Sequence, residues 1–543
     1  MSQLLTFLFT LNSISFIGSL IYFFIPEPSI VANIYGGVLI LTLTGNIVAA
    51  TFLKGNKKWR FTYLILSSLG LFCVMVLNTL TSIDPTNHSS QSLLSLGLIL
   101  LHFLGGAWLS GRSISAKEKP SQVYSLKSNQ SKHAYRKTRR TFLGLLSFLL
   151  FIGVLLALIM LTRLPVALIE AGLSPYSLFY SLIFLSLAGL ALNLVSVKKH
   201  PIITYTLGSV GVGLYILFAL PFLSIPSMLD KAETNYTKAF GQSGISMEND
   251  VPAFRDLPLS ISAFFFGSSS KDYTLEEDVV YYEGSDGVDD GLTLAFDAYS
   301  PPENAQNLPG EGSVLIRIHG GGWGTGDKGA FNFAQINKYF ASQGYVVFDV
   351  QYGLDDHNQS ALFLSGPDEV YDSFSIDDMV RHLGIFTTYL ADNKEAFGAN
   401  LDSVFISGGS AGGQLANAVA LASSSENYDE LIDSRISVKG LIPLYPANDL
   451  SHFRDIGGQD ALVDPALLAE EDSPPALLFQ GDKDGIVVPQ VSRNFRDAYL
   501  AKNNNDIAII WMPYGAHVSD IYFSGFYNQT FMYYMERFMY QYK

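Results

Sequence analysis

Ser410 stands at the centre of Gly408-Gly409-Ser410-Ala411-Gly412. The run follows the apolar residues Val404-Phe405-Ile406 and precedes Gln414-Leu415-Ala416-Asn417-Ala418-Val419-Ala420, which suits a helix. Strand, sharp turn and helix, with serine at the apex, is an arrangement that exposes a hydroxyl as a nucleophile. Glycine on both sides lets the flanking elements pass close together, and the helix N-terminus is aimed at the reacting centre. In a chain with 47 glycines the pattern alone is weak, so its meaning rests on partners. A serine nucleophile needs a base, and the base needs an orienting acid. Of nine histidines, His517 is the one placed to follow an acid, in Tyr514-Gly515-Ala516-His517-Val518. The acid is expected in Gly481-Asp482-Lys483-Asp484-Gly485-Ile486-Val487-Val488-Pro489. Asp484 is the expected residue. Asp482 is the alternative, otherwise a turn former or a partner of Lys483.

A tetrahedral intermediate also needs donors for its oxyanion. His319-Gly320-Gly321-Gly322-Trp323 leaves several backbone N–H groups unobstructed by side chains. The expected donors are the N–H groups of Gly321, Gly322 and Ala411. His319, Gly320, Trp323, Gly408 and Gly412 support the two turns.

These residues must be held by a sheet. Eight strands are expected at Val279–Tyr282, Leu292–Tyr299, Ser313–Ile318, Tyr345–Val350, Val404–Ser407, Val438–Leu444, Ala476–Gln480 and Ile507–Met512. Helix-compatible segments such as Ala330–Gln343 and Ile376–Asn393 intervene from the third strand onward. That alternation predicts a mostly parallel sheet covered on both faces, with an antiparallel edge formed by the first strands. Every candidate residue then falls at the C-terminal end of a strand, where open α/β sheets bind ligands.

With these motifs together, residues 273–543 resemble the α/β-hydrolase superfamily. The likeness is to carboxylesterase groups near hormone-sensitive lipase and the feruloyl/acetyl-xylan-type esterases. It rests on His319–Trp323 with the trailing Gly326-Asp327-Lys328, Gly408–Gly413, Gly481-x-x-Asp484-x-x-Val487-Val488-Pro489 and Gly515-x-His517. The resemblance implies a Ser410-Asp484-His517 triad, ester substrates and no cofactor or metal. Lipase-like members carry Tyr-Arg-Leu where this chain has Tyr352-Gly353-Leu354, and often Asp where Gly409 stands. Both departures point to the smaller-ester groups.

The other half of the chain is of a different kind. Residues 1–228 hold 16 Lys+Arg and 4 Asp+Glu, whereas residues 229–543 hold 18 and 45. Mean hydropathy over the whole chain is +0.25. Seven apolar stretches near bilayer length follow one another: Leu4–Ile25, Ser29–Leu53, Phe61–Ile83, Ser92–Ser110, Thr141–Thr162, Ser174–Val197 and Pro201–Met228. The first lacks a basic leader and is read as a retained span. The links after the second, fourth and sixth stretches are basic, and Arg112–Arg140 alone carries nine Lys+Arg. This alternation predicts a multi-pass cell-membrane protein with a cytoplasmic N-terminus and an extracytoplasmic C-terminal half. His102 is read as an interhelical hydrogen-bond partner. Gly36-Gly37, Gly105-Gly106 and Gly208–Gly213 are read as close helix packing.

The expected organisation is therefore a seven-helix membrane domain at 1–228, a linker or interfacial segment at 229–272 and a hydrolase domain at 273–543. A fragment starting near Lys271 is expected to fold alone. The acidic half repels phosphate and argues against nucleic acid. The single cysteine, Cys73, permits no intrachain disulfide. The functional expectation is a membrane-embedded serine esterase whose partners are the bilayer and a membrane-associated ester. Acyl transfer by the same triad is the rival within enzymes, and a non-catalytic transporter or sensor is the rival outside them. Asn235-Tyr236-Thr237 and Asn528-Gln529-Thr530 are sequons expected on the outer side.

Overall fold

The computed structural model describes residues 2–543 except 25–28, 54–55, 84–87, 116–128, 167, 243–253, 268–271, 303–304, 330–332, 359–364, 426 and 429. Much of the basic Arg112–Arg140 link therefore lies outside the described residues, as do part of the Lys54–Arg60 link and the start of Val251–Phe266. Two compact units emerge, and neither is continuous in sequence. The helical unit takes Met1–Thr162, Tyr176–Leu223 and Ser260–Ser268, and the sheet unit takes Arg163–Pro175, Ser224–Leu259 and Ser269–Lys543.

Among the described residues, seven helices are long and apolar enough to cross a membrane: Gln3–Phe24, Ile30–Phe52, Lys57–Thr81, Ser92–Arg112, Arg136–Leu161, Ser177–Leu194 and Pro201–Phe240. Many of their large apolar side chains point outward; Phe24, Val31 and Ile202 are at least 75% exposed. So much exposed hydrocarbon is costly in water and suits lipid. The inner faces are joined by short polar side chains. Asn12 and Asn46 exchange two amide hydrogen bonds at 2.9 and 2.8 Å. Gly106 passes beside that pair; a Cβ there would lie 2.2 Å from Asn46 Nδ2. His102 Nδ1 bonds Leu98 O at 2.7 Å within its own helix, and its ring packs on Gly70 of the neighbouring one.

The seventh apolar stretch breaks at Ser224. Helix Pro201–Leu223 belongs to the helical unit, while Ile225–Phe240 belongs to the sheet unit. The second helix is amphipathic and lays Met228, Ala232, Tyr236 and Phe240 inward. Tyr236 packs on Tyr534, Phe240 packs on Phe538, and Asn235 Nδ2 donates to Ile509 O at 3.0 Å. Phe254 packs on Tyr540 in the same unit, whereas Phe264 and Phe265 are buried in the helical unit against Phe179. The stretch between the expected domains is thus divided, with Ser260–Ser268 in the helical unit and the rest in the sheet unit.

The sheet unit contains strands β1 (Thr274–Glu283), β2 (Thr293–Ser300), β3 (Ser313–Ile318), β4 (Val346–Val350), two short strands β5 (Leu354–Asp355) and β6 (Tyr371–Asp372), β7 (Asn400–Gly409), β8 (Val438–Leu444), β9 (Ala476–Gly481) and β10 (Ile507–Met512). The main sheet runs β1-β2-β4-β3-β7-β8-β9-β10. β2 pairs antiparallel with both β1 and β4, and the ladders from β4 through β10 are parallel. β3 and β4 are fully buried along their length, as strands covered on both faces must be. Helix Phe333–Ala341 lies within the expected Ala330–Gln343, whose first three residues are outside the described set. Helix Ile376–Phe397 starts on a capping box, Ser375 with Asp378, and ends on left-handed Gly398. Helix Phe526–Tyr542 buries Asn528, whose amide donates to Phe523 O at 2.8 Å. The sequon at 528–530 is therefore not open to solvent.

Candidate active site

β7 ends at Gly409 and the helix Ala411–Ala422 begins at once, leaving Ser410 alone in the turn with φ 56° and ψ −121°. A non-glycine residue held at positive φ is strained, and the surroundings must hold it there. Ser410 N donates to Leu444 O at 3.0 Å, and Ser410 O accepts from Ala447 N at 3.0 Å. The end of β8 thus clamps the turn. A Cβ on Gly412 would lie 2.3 Å from the carbonyl oxygens of Ile318 and His319. That close approach brings the end of β3 against the start of the helix, and only glycine permits it.

His517 Nε2 lies 3.0 Å from Ser410 Oγ, and His517 Nδ1 lies 2.9 Å from Asp484 Oδ2. All three expected residues meet, although 107 positions separate Ser410 from His517. Asp484 is fully buried. Its Oδ1 accepts from Ile486 N at 3.0 Å and Val487 N at 2.8 Å, and its Oδ2 accepts from Gln480 Nε2 at 3.1 Å. Ile486 and Val487 hold Oδ1, and Gln480 shares Oδ2 with His517. Asp482, two residues away, spends Oδ1 on Tyr514 N at 2.7 Å. It braces the turn that follows β10, the strand before His517.

The glycine run after β3 also converges here. Among the described residues, no acceptor takes the N–H of Gly321, Gly322 or Ala411. Gly321 has φ 131°, and a Cβ there would lie 1.8 Å from Thr325 O. Trp323 is buried, and its Nε1 donates to Gln414 Oε1 at 2.9 Å, tying the glycine loop to the helix after Ser410. His319 stacks on Tyr352 at 4.5 Å, and Tyr352 Oη donates to His319 O at 3.0 Å. Gly320 and Gly408 fill close backbone contacts at the same junction.

Residues 296–499 match the BD-FAE family model. The C-terminal half is an α/β-hydrolase-like domain. A probable carboxylic ester hydrolase, LipM of Mycobacterium tuberculosis, is 23% identical over 275 residues, which is 46% of this chain and 58% of that protein. Esterase LipC of the same organism is 20% identical over 234 residues, covering 38% of this chain and 53% of the relative. The chain thus spans little more than half the length of these curated relatives. Among solved structures, the apo form of Thermogutta terrifontis esterase 2 aligns at 23% identity and TM-score 0.37, covering 48% of this chain and 90% of that one.

Several residues of the hydrolase domain that shape the site carry no motif in the sequence. Tyr445 follows β8 at φ 38°, packs its ring 4.7 Å from that of His517, and donates its hydroxyl to Asp520 Oδ1 at 2.7 Å. Asp520 is fully buried, and burial pushes its carboxyl upward. Glu170, from the distant segment Arg163–Pro175, is buried, and the charges of Asp484 and His517 act on it. Burial disfavours the imidazolium of His517, and the charge and hydrogen bond of Asp484 are the largest effects that oppose it. With Glu170 and Asp520 contributing, His517 is raised above its ordinary value. Elsewhere, Asp355, Asp356 and His357 place three possible metal-ligand atoms within 4.8 Å of one another. His357 Nδ1 lies 2.6 Å from Asp356 Oδ1, a contact that accounts for that cluster.

Proposed function

We propose that this chain is a membrane-embedded serine hydrolase that cleaves carboxylic esters. The observation that carries the reading is the unbroken chain Ser410 Oγ–His517–Asp484, at 3.0 and 2.9 Å. Ser410 attacks the ester carbonyl while His517 takes its proton. Asp484 holds the imidazole with Nε2 facing the serine and stabilises the imidazolium. The N–H groups of Gly321, Gly322 and Ala411 receive the oxyanion, and losing one such donor costs about 10²–10³ in rate. His517 then protonates the departing alcohol. Water, activated by the same histidine, releases the acyl group. The esterase relatives support the ester class.

The seven apolar helices and their exposed hydrocarbon support residence in a bilayer. The basic links support a cytoplasmic N-terminus and an extracytoplasmic hydrolase domain. A membrane-associated ester is the substrate class that such an address makes available. The test is a membrane-impermeant fluorophosphonate applied to intact cells. Labelling of the wild type and none of Ser410→Ala is expected, together with a fall in ester hydrolysis of about 10⁶. Labelling only after permeabilisation would reverse the orientation. Equal labelling of Ser410→Ala would remove the nucleophile assignment.

A further inference from the structure

Arg163–Pro175 links the helices Asn129–Leu161 and Ser177–Leu194 in sequence, yet it belongs to the sheet unit. It lies along the loop that carries the triad acid. Arg163 Nε donates to Asp482 O at 3.0 Å. The backbone of Arg163 and Leu164 passes Gly485 so closely that a Cβ there would lie 3.0 Å from Arg163 O. Glu170, 2% exposed, follows in the same segment. The Gly485 N–H is among the groups that favour its ionised form. Its Oε1 has no hydrogen-bond partner among the described residues. Gly485 is the residue directly after Asp484, so this segment grips the acid loop at its turning point.

We propose that Glu170 is a positioning residue of the triad: it holds the Gly485 turn, and its carboxylate adds a second negative charge in the field of His517. The inference rests on the serine-hydrolase reading above. A buried carboxylate with one unsatisfied oxygen is costly, and a nearby imidazolium offsets that cost. Burial and the charge of Asp484 push Glu170 up to about 7, while His517 and the Gly485 N–H pull it down. The charged groups acting on His517 are then Asp484, Glu170 and Asp520, with the Tyr445 ring against its face. Glu170 and His517 titrate in one range and are coupled. The anion of Glu170 favours the imidazolium, so it raises the basicity of His517 and lowers the barrier to proton transfer from Ser410.

The experiment uses the full-length protein in lipid nanodiscs with a short-chain nitrophenyl ester. It compares wild type, Glu170→Gln and Glu170→Ala in kcat, KM, pH profile and thermal midpoint. Glu170→Gln keeps the size and an acceptor for Gly485 but removes the charge. It is expected to lower kcat by about 3–10-fold with KM unchanged. Its acid limb should move to lower pH and fall as a single proton, where the wild-type limb reflects two coupled groups. Glu170→Ala also releases Gly485 and should lose more. If Glu170→Ala fails to fold, the pH profile of Glu170→Gln still decides. Unchanged kcat and acid limb in Glu170→Gln overturn the proposal. So does a kcat loss that tracks a lowered thermal midpoint with the limb unmoved. A wild type that neither labels with fluorophosphonate nor hydrolyses the ester overturns the triad reading itself, and this inference with it.

Discussion

Among the described residues, the polar side chains buried in the helical unit are mostly short and neutral: Asn12, Ser15, Ser19, Thr42 and Asn46. They bond to one another or to a carbonyl one turn back in their own helix, as Ser19 does to Ser15 O at 2.8 Å. In the sheet unit many of the buried polar side chains are ionisable: Arg317, Asp349, Asp484, Asp520, Glu536 and Arg537. Asp484 and Asp520 lie around His517. Short neutral groups satisfy themselves locally and cost little in hydrocarbon. Buried charges require partners brought from distant parts of the chain. The contrast separates a region whose buried polar groups suit lipid from one that buries charge. The ownership of segments follows the same division. Ile225–Phe240 continues an apolar stretch, but its own face is amphipathic and it packs in the sheet unit.

The comparison breaks most severely if the hydrolase domain can be cut out as a continuous piece. A fragment starting at Lys271 loses Arg163–Pro175 and Ile225–Phe240. It thereby bares Tyr534, Phe538 and the carbonyl of Ile509. We expect no cooperative thermal unfolding and no ester hydrolysis from it. A soluble, active fragment would show that these two segments are accessories.

Next in size is the contrast between two aspartates on one loop. Asp484→Asn should lower kcat by about 10⁴, because an amide can stabilise the wrong imidazole tautomer. The Asp482 carboxylate braces the turn at Tyr514, so the loss in Asp482→Asn should stay within about tenfold. Steady-state kinetics on both variants decide, and the reverse ranking would move the acid to Asp482.

The smallest effect is a shift on the pH axis. His517 must be neutral to accept a proton. Asp484, Glu170 and Asp520 together raise it above 6.5 against the opposing effect of burial. Activity should therefore be lost as pH falls through a value above 6.5, read from kcat/KM of the wild type. A limb below 6.5 would mean that burial outweighs the three carboxylates.

Much of the site was legible. The strand runs from Val279 to Met512 were readable because each is short, apolar and bounded by turn residues. Ser410, Asp484 and His517 were readable because a triad imposes an order along such a sheet. Glu170 was not, since it sits in Leu168-Ile169-Glu170-Ala171 between two apolar spans and looks like an ordinary link residue. Tyr445 and Asp520 were not, because neither carries a local signal. The two departures from the lipase pattern were visible as letters and explained only in space. A side chain at Gly353 would meet His382 and Phe374 at 2.7 Å, and one at Gly409 would meet the hydroxyl of Tyr445 at 3.2 Å.

The sequence alone determined the two kinds of region, the sheet and the three residues proposed as a triad, because hydrophobic period, turn chemistry and strand order are local or follow chain order. Tertiary structure decided which segments complete the hydrolase unit and which carboxylates surround His517. Burial and electrostatic neighbourhood depend on distance in space, and the backbone of Arg163 and Leu164 meets Gly485 across a separation in sequence that no pattern along the chain records.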